Sequence, residues 1–251
     1  MRTALITGAT SGIGEAIALR LAKENYKLIL TGRRSERLEE LKKKLEAGYN
    51  AQVYILCFDV RVYDEVEKAI NSLAGDWKKI DILINNAGLA VGLNPLHEGV
   101  VDDWERMIDT NIKGLLYVSR VVSPDMVAAK SGHIINIGSI SGRHVYPNGG
   151  VYCATKHAVD AISKGMRLDF LPYGIKVTQI CPGAVETEFS IVRFKGDEKR
   201  AGVVYEGYQS LVANDIADSV HYAISQPKHV DIQDLLIMPT AQANSNTFHK
   251  E

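Results

Sequence analysis

Between residues 139 and 156 the chain carries a hydroxyl, a phenol and an ammonium at intervals suited to carbonyl chemistry: Ser139, Tyr152 and Lys156. A Tyr and a Lys four apart on a helix share one face and come close enough to influence each other. A free phenol titrates near about 10 and is a poor base at neutral pH. A neighbouring ammonium favours the phenolate and is expected to draw that value down. Ser139 follows the apolar run His133 to Ile137, which puts its hydroxyl at the carboxyl end of a predicted strand, the edge at which open parallel sheets bind ligands. With 11 tyrosines in the chain such a pair also arises by chance, and both residues could be ordinary helix members. The surrounding elements decide between the readings.

The chain opens with Thr3-Ala4-Leu5-Ile6-Thr7, a short apolar run read as a fully buried strand. Gly8-Ala9-Thr10-Ser11-Gly12-Ile13-Gly14 follows, and Ile13, Ile17 and Leu21 then recur at helical spacing. Strand, glycine-rich turn and helix in this order let a backbone approach a phosphate at a helix N-terminus. The alternative is a tight turn that binds nothing. A second strand, Lys27 to Thr31, ends in Gly32-Arg33-Arg34. NAD-binding sheets place an acid near this point for the ribose 2′-OH. Here the acid is missing and two arginines follow, a pairing suited to a 2′-phosphate and hence to NADP. The competing account is a pair of solvated arginines at a strand end.

Ser35 is a plausible N-cap for a helix striped with Leu38, Leu41 and Leu45, whose Lys42-Lys43-Lys44 reads as a solvated face. Gln52 to Phe58, closed by Asp59-Val60, is a third strand, and Asp81 to Ile84, followed by Asn85-Asn86-Ala87-Gly88, a fourth. A long helix from Trp104 to Val122 is expected to end or kink at Pro124. Asn111 sits in its middle, where Asn is mildly disfavoured; it either points to solvent or marks a functional site. A fifth strand (133–137), a helix from Tyr152 to Leu171 and a sixth strand (176–181) ending in Pro182-Gly183 come next. Residues 184–211 lack a clean period and are long for a loop, as lids and binding segments are. A last helix around Ile216 to Ile224 and a seventh strand, Leu235 to Met238, precede a polar tail, 241–251, with no visible tether.

Composition narrows the field. The 251 residues include 46% hydrophobic ones, enough for a large core, and no linker, repeat or low-complexity stretch divides them, so one domain over 1–251 is expected. Basic residues number 29 and acidic ones 30, a balance that argues against nucleic acid as a partner. No apolar run is long enough for a membrane span, and the first strand starts too early to leave room for a signal peptide. Cys57, Cys153 and Cys181 lack metal-ligand spacing, so no metal is expected, and a reduced, cytoplasmic protein follows.

Taken in order, these motifs resemble the short-chain dehydrogenase/reductase family along nearly the whole chain. Thr7-Gly8-x3-Gly12-Ile13-Gly14 matches its cofactor turn, Asn85 to Gly88 its fourth-strand motif, and Asn111, Ser139, Tyr152 and Lys156 its catalytic four. Pro182-Gly183 with Thr187 matches the segment that holds the nicotinamide carboxamide. The resemblance implies an α/β fold, a doubly wound (Rossmann-type) seven-stranded parallel sheet with helices on both faces. It implies that Tyr152 transfers the proton, that Lys156 lowers its pKa and binds the nicotinamide ribose, and that Ser139 holds the substrate oxygen. Asn111 would hold a water linking Lys156 to solvent. NADP would lie against Gly8, Thr10, Ser11, Gly12, Ile13, Gly14, Arg33 and Arg34. Asp59 and Val60 would touch its adenine, with Asn86, Ala87, Gly88, Pro182, Gly183, Val185 and Thr187 along the rest. A homotetramer, or at least a dimer, would form through the fourth and fifth helices.

The late chain narrows the likeness further. Thr187-Glu188-Phe189-Ser190, Val192 to Asp197 and Met238-Pro239-Thr240 are similar to NADP-dependent 3-hydroxy acid (serine, allo-threonine) dehydrogenases and to sulfoacetaldehyde reductases. The resemblance implies a small anionic hydroxy compound and its carbonyl as the reacting pair. Arg193, and Arg143 as a second candidate, are expected to bind the anion; the bland account of each is a solvated loop residue or an ion pair. Two other functions stay open: reduction of larger apolar carbonyls such as 3-oxoacyl thioesters or steroids, and a non-catalytic NADP-sensing regulator.

Overall fold

A computed structural model describes all residues, 1–251. Seven parallel strands form one sheet: β1 (Thr3–Ile6), β2 (Lys27–Gly32), β3 (Val53–Cys57), β4 (Ile82–Asn85), β5 (Gly132–Ile137), β6 (Ile175–Pro182) and, at the far edge, β9 (Asp234–Ile237). Their order is β3-β2-β1-β4-β5-β6-β9. The chain winds outward from β1 to β3, then crosses back to β4 on the other side of β1. The order therefore reverses between β1 and β4, the crevice in which such sheets bind ligands.

The continuous apolar runs are explained by cover on both faces. Ala4, Ile6, Leu28, Leu30, Ile82 and Ile84 point into one core, shared with α1 (Gly12–Lys23), α2 (Ser35–Tyr49) and α9 (Ala213–Ser225). The residues between them, Leu5, Ile29 and Leu83, point into the other, shared with α3 (Tyr63–Asn71), α5 (Leu115–Ala129) and α6 (Gly150–Phe170). Each of the leucines and isoleucines contributes roughly 1.5–3 kcal/mol on burial.

Four local expectations need correction. Ser35 is the first residue of α2, not its cap; Arg34 takes the cap position. The long fourth helix is three pieces on one axis: α4 (Val101–Ile108), a π-helical turn (Asp109–Gly114) and α5. Of the two outcomes expected at Pro124, an end or a kink, the end does not occur: α5 runs through it to Ala129. The lost backbone bond costs roughly 3 kcal/mol, and burial of Val118, Val122 and Met126 on the same helix offsets it. The tail is tethered. Gln242 pairs with Phe248 in a β-bridge, Phe248 stacks on Tyr208 with ring centres 4.9 Å apart, and the Glu251 N–H donates to the Gly207 carbonyl at 2.8 Å.

The tail thus folds onto 184–211, which has structure of its own. A two-stranded ribbon, β7 (Val185–Glu186) with β8 (Leu211–Val212), encloses two short helices, α7 (Phe189–Arg193) and α8 (Glu198–Val203). No helix of the chain is long and apolar enough to cross a membrane.

Candidate active site

A cleft of about 360 Å³ opens along the carboxyl ends of β1, β4, β5 and β6. Its floor at one end is the turn after β1, where Gly8 and Gly12 take φ of +65° and +55°, the left-handed region that glycine enters without strain. Thr10, Ser11 and Ile13 line the same wall. Ser11 takes the cap position of α1 without capping it, so the first N–H groups of that helix keep their capacity for an anion. Gly14, expected at the coenzyme, is buried instead and does not line the cleft. A Cβ there would come within 2.3 Å of the Gly8 carbonyl oxygen, so its role is the close approach of α1 to the turn.

Thr7 and Asn86 lock this turn to β4. The Thr7 hydroxyl accepts from the N–H groups of Asn86 and Ala87, both at 3.0 Å, and the Asn86 amide donates to the carbonyls of Thr7 and Gly8. Deeper in, Asn85 donates to Ser119 and Asn136, and Asn136 to Ser163, each at 2.9 Å. This fully buried polar chain ties β4 and β5 to α5 and α6. It fixes the helix that carries Tyr152 and Lys156.

Ser139, Tyr152 and Lys156 all line the cleft. The Ser139 hydroxyl accepts from the Ser141 N–H at 3.0 Å, which holds the oxygen while its own hydrogen stays free to donate. Lys156 is buried and its Nζ donates to the Ile137 carbonyl at 2.9 Å. Burial lowers its pKa to about 8. The expected depression of Tyr152 does not occur. Burial raises the phenol's pKa above its ordinary value, against the pull of Arg193 and the Ser139 hydroxyl. The Lys156 Nζ stands 6.0 Å from the Tyr152 ring centre, too far to offset the lost hydration of a phenolate. At neutral pH Tyr152 is therefore in the proton-donating form.

Asn111 lies in the π turn, buried and outside the cleft lining. Its amide accepts from the Leu89 N–H at 2.8 Å and donates to the Leu89 carbonyl at 2.8 Å and to the Thr155 hydroxyl at 3.0 Å. Both donors are used on protein groups. Asn111 clamps the segment after β4 onto α6, beside Tyr152 and Lys156.

The other end of the cleft is covered by the segment after β6, with Pro182, Gly183, Val185 and Thr187 on its wall. Sequence reasoning missed the next two residues, Glu188 and Phe189, which also line it. Phe189 packs edge-on against Tyr152 with ring centres 5.7 Å apart. At the end of α7, Arg193 lies 5.1 Å from the Tyr152 ring centre and donates to the hydroxyl of Tyr146, a third missed residue. The Arg193 Nε is buried without a partner. Tyr152 also lines an adjoining cavity of about 400 Å³, and it is this cavity, not the cleft itself, that Arg193 lines. Arg143 goes elsewhere. Its guanidinium is paired with Asp234 on β9 and lines neither cavity, which corrects its assignment to the substrate.

The remaining predicted contacts stand around the coenzyme end of the cleft. Arg33, Arg34, Asp59 and Val60 flank it at one side, and Ala87 and Gly88 at the middle. Arg34 donates to the hydroxyls of Thr10 at 2.8 Å and Ser11 at 2.9 Å, so a cation stands next to the phosphate turn. A glycine-rich turn, an uncapped helix N-terminus, two arginines in place of an acid directly after β2, and a phenol, hydroxyl and ammonium at the far end together fit a phosphorylated dinucleotide. They define a nucleotide-dependent oxidoreductase of carbonyl or hydroxyl groups.

Comparison with known proteins agrees. The short chain dehydrogenase family model matches residues 2–198, and the chain belongs to that family. It is 48% identical over 240 residues to the NADP-dependent 3-hydroxy acid dehydrogenase YdfG of Escherichia coli (strain K12), covering 95% of each chain. It is 42% identical over 241 residues to a serine 3-dehydrogenase of Agrobacterium fabrum, covering 96% of this chain and 95% of that one. The fold superposes on a closed form of serine dehydrogenase complexed with NADP+ with a TM-score of 0.94 and 45% identity, over 99% of this chain and 100% of the other.

Proposed function

We propose that the protein is an NADP-dependent dehydrogenase that interconverts a short 3-hydroxy acid of the serine type and its carbonyl form. The bound coenzyme supplies or accepts the hydride. In the reductive direction Tyr152 gives its proton to the carbonyl oxygen, the Ser139 hydroxyl donates to the same oxygen, and Lys156 holds the ribose beside them. Arg193 pairs with the carboxylate. The names of the relatives support the substrate class.

One observation carries the choice of an acid: a guanidinium with an unpartnered buried Nε, packed 5.1 Å from the ring centre of the proton donor. A buried unpaired donor of this kind is costly and is best satisfied by a planar anion. A sulfonate, though tetrahedral, also offers two anionic oxygens to one guanidinium edge, so sulfoacetaldehyde belongs in the test. Three free cysteines and no disulfide suit a reduced, cytoplasmic setting.

The test is a panel in both directions with NADP(H): serine, allo-threonine, 3-hydroxypropionate, isethionate, their carbonyl forms, uncharged analogues of equal size, and a 3-oxoacyl thioester. The acids should exceed their uncharged analogues in kcat/KM by roughly 10–100-fold, the worth of a hydrogen bond to a charged group. Preference for the thioester would count against the reading.

A further inference from the structure

At the adenosine end of the cleft, Arg33, Arg34 and Arg37 stand close to two acids. Asp59 is held bidentately by Arg61 and lies 3.6 Å from Arg33. Glu188 is not part of that body. It comes from the covering segment and reaches across, accepting from Arg37 at 2.9 and 3.1 Å and from Arg34 at 3.4 Å. The other edge of the Arg34 fork is spent on the hydroxyls of Thr10 and Ser11. The Arg34 guanidinium, which stands at the phosphate turn, therefore already carries a carboxylate. A phosphate brings close to two negative charges, and it and Glu188 cannot both hold the free edge of Arg34 without repulsion.

Glu188 immediately precedes α7, and the far end of α7 presents Arg193. Beyond it, Lys195 is paired with the buried Asp103 at 2.8 Å, and the Gly92 N–H donates to the Arg193 carbonyl at 3.0 Å. The short helix is thus pinned at both ends. Only the Glu188 pin shares a partner with the coenzyme.

We propose that Glu188 is the anion which a 2′-phosphate replaces on Arg34, so that it sets coenzyme selectivity and links uptake of the phosphorylated coenzyme to the seating of α7. The proposal rests on NADP being the coenzyme.

Calorimetry on the full chain with adenosine 2′,5′-bisphosphate and adenosine 5′-monophosphate tests it, because these fragments carry no nicotinamide to close the cover by other contacts. The Glu188 side chain is 45% exposed, so Glu188→Gln should fold. The variant should bind the bisphosphate about two- to fivefold more tightly than wild type, the range of an exposed ion pair, and the monophosphate equally. Trypsin should cut the exposed Lys195, Lys199 and Arg200 faster in wild type once the bisphosphate is present, and equally fast in the variant with or without it. Unchanged or weaker bisphosphate binding in the variant, equal tightening of both nucleotides, or a wild-type cleavage rate indifferent to the bisphosphate would overturn the proposal. A wild type that does not prefer the bisphosphate over the monophosphate would overturn it together with the NADP reading; the other outcomes leave that reading standing.

Discussion

Burial sets the protonation of the two reacting side chains, Tyr152 and Lys156. It keeps the Tyr152 phenol protonated and brings Lys156 to about 8. Tyr152→Phe removes the proton while the ring still packs on Phe189 and Arg193. Turnover should fall roughly 10²–10⁴-fold, with NADPH affinity in fluorescence titration nearly unchanged. Lys156 makes a separate prediction about stability. Its folded pKa lies below the unfolded value, so between about pH 8 and 10.5 the unfolded chain binds more protons, and stability rises with pH across that window. Below pH 8 the buried charge is a standing cost. Lys156→Met should therefore stabilise the coenzyme-free protein by about 1–2 kcal/mol at pH 7, after the loss of the Ile137 bond, and the gain should shrink toward pH 10.5. Denaturant titration at the two pH values checks this; a gain that is independent of pH would mean that packing, not charge, is responsible. The sequence placed Ser139, Tyr152 and Lys156 together because their spacing and the strand before them are local signals. It could not give the sign of the Tyr152 shift, which depends on how deeply the ring is buried.

The turn after β1, the segment after β4 and the segment after β6 were legible as elements, because each joins a continuous apolar strand to a glycine or amide cluster. Several failures share one cause: the deciding contact is distant in sequence. Arg143 meets Asp234, 91 residues away, and Phe248 meets Tyr208. Pro124 is tolerated because of what its helix buries, and the π turn is held by a bond from Asn111 to Leu89. Gln242 shows how the tail acts on the cover. Its Oε1 accepts from the Ala184 N–H at 2.8 Å, and its amide donates to the Asn244 carbonyl. Gln242→Ala leaves the Ala184 N–H without a partner and should cost about 1–3 kcal/mol in denaturant unfolding. It should also raise KM for an acidic substrate several-fold while NADPH affinity holds. Equal loss of both would indicate a global defect instead.

At the scale of the whole molecule, the sheet brings the coenzyme end, the reacting groups and the cover into one crevice, and α5 and α6 leave apolar side chains outside it. Leu116 of α5 is 40% exposed and Leu168 of α6 is 74% exposed. Light scattering at micromolar concentration should report a dimer or tetramer formed through these helices, and a monomer would contradict that. The central claim is that this crevice works on a small acid held by Arg193. Its most direct test is Arg193→Ala, assayed with NADP+ on serine and on the uncharged alcohol of similar size that the wild type oxidises best. The account predicts that KM for the acid rises at least tenfold while kinetics on the uncharged alcohol change less than about twofold. Equal losses on both substrates, or no loss on the acid, would contradict it.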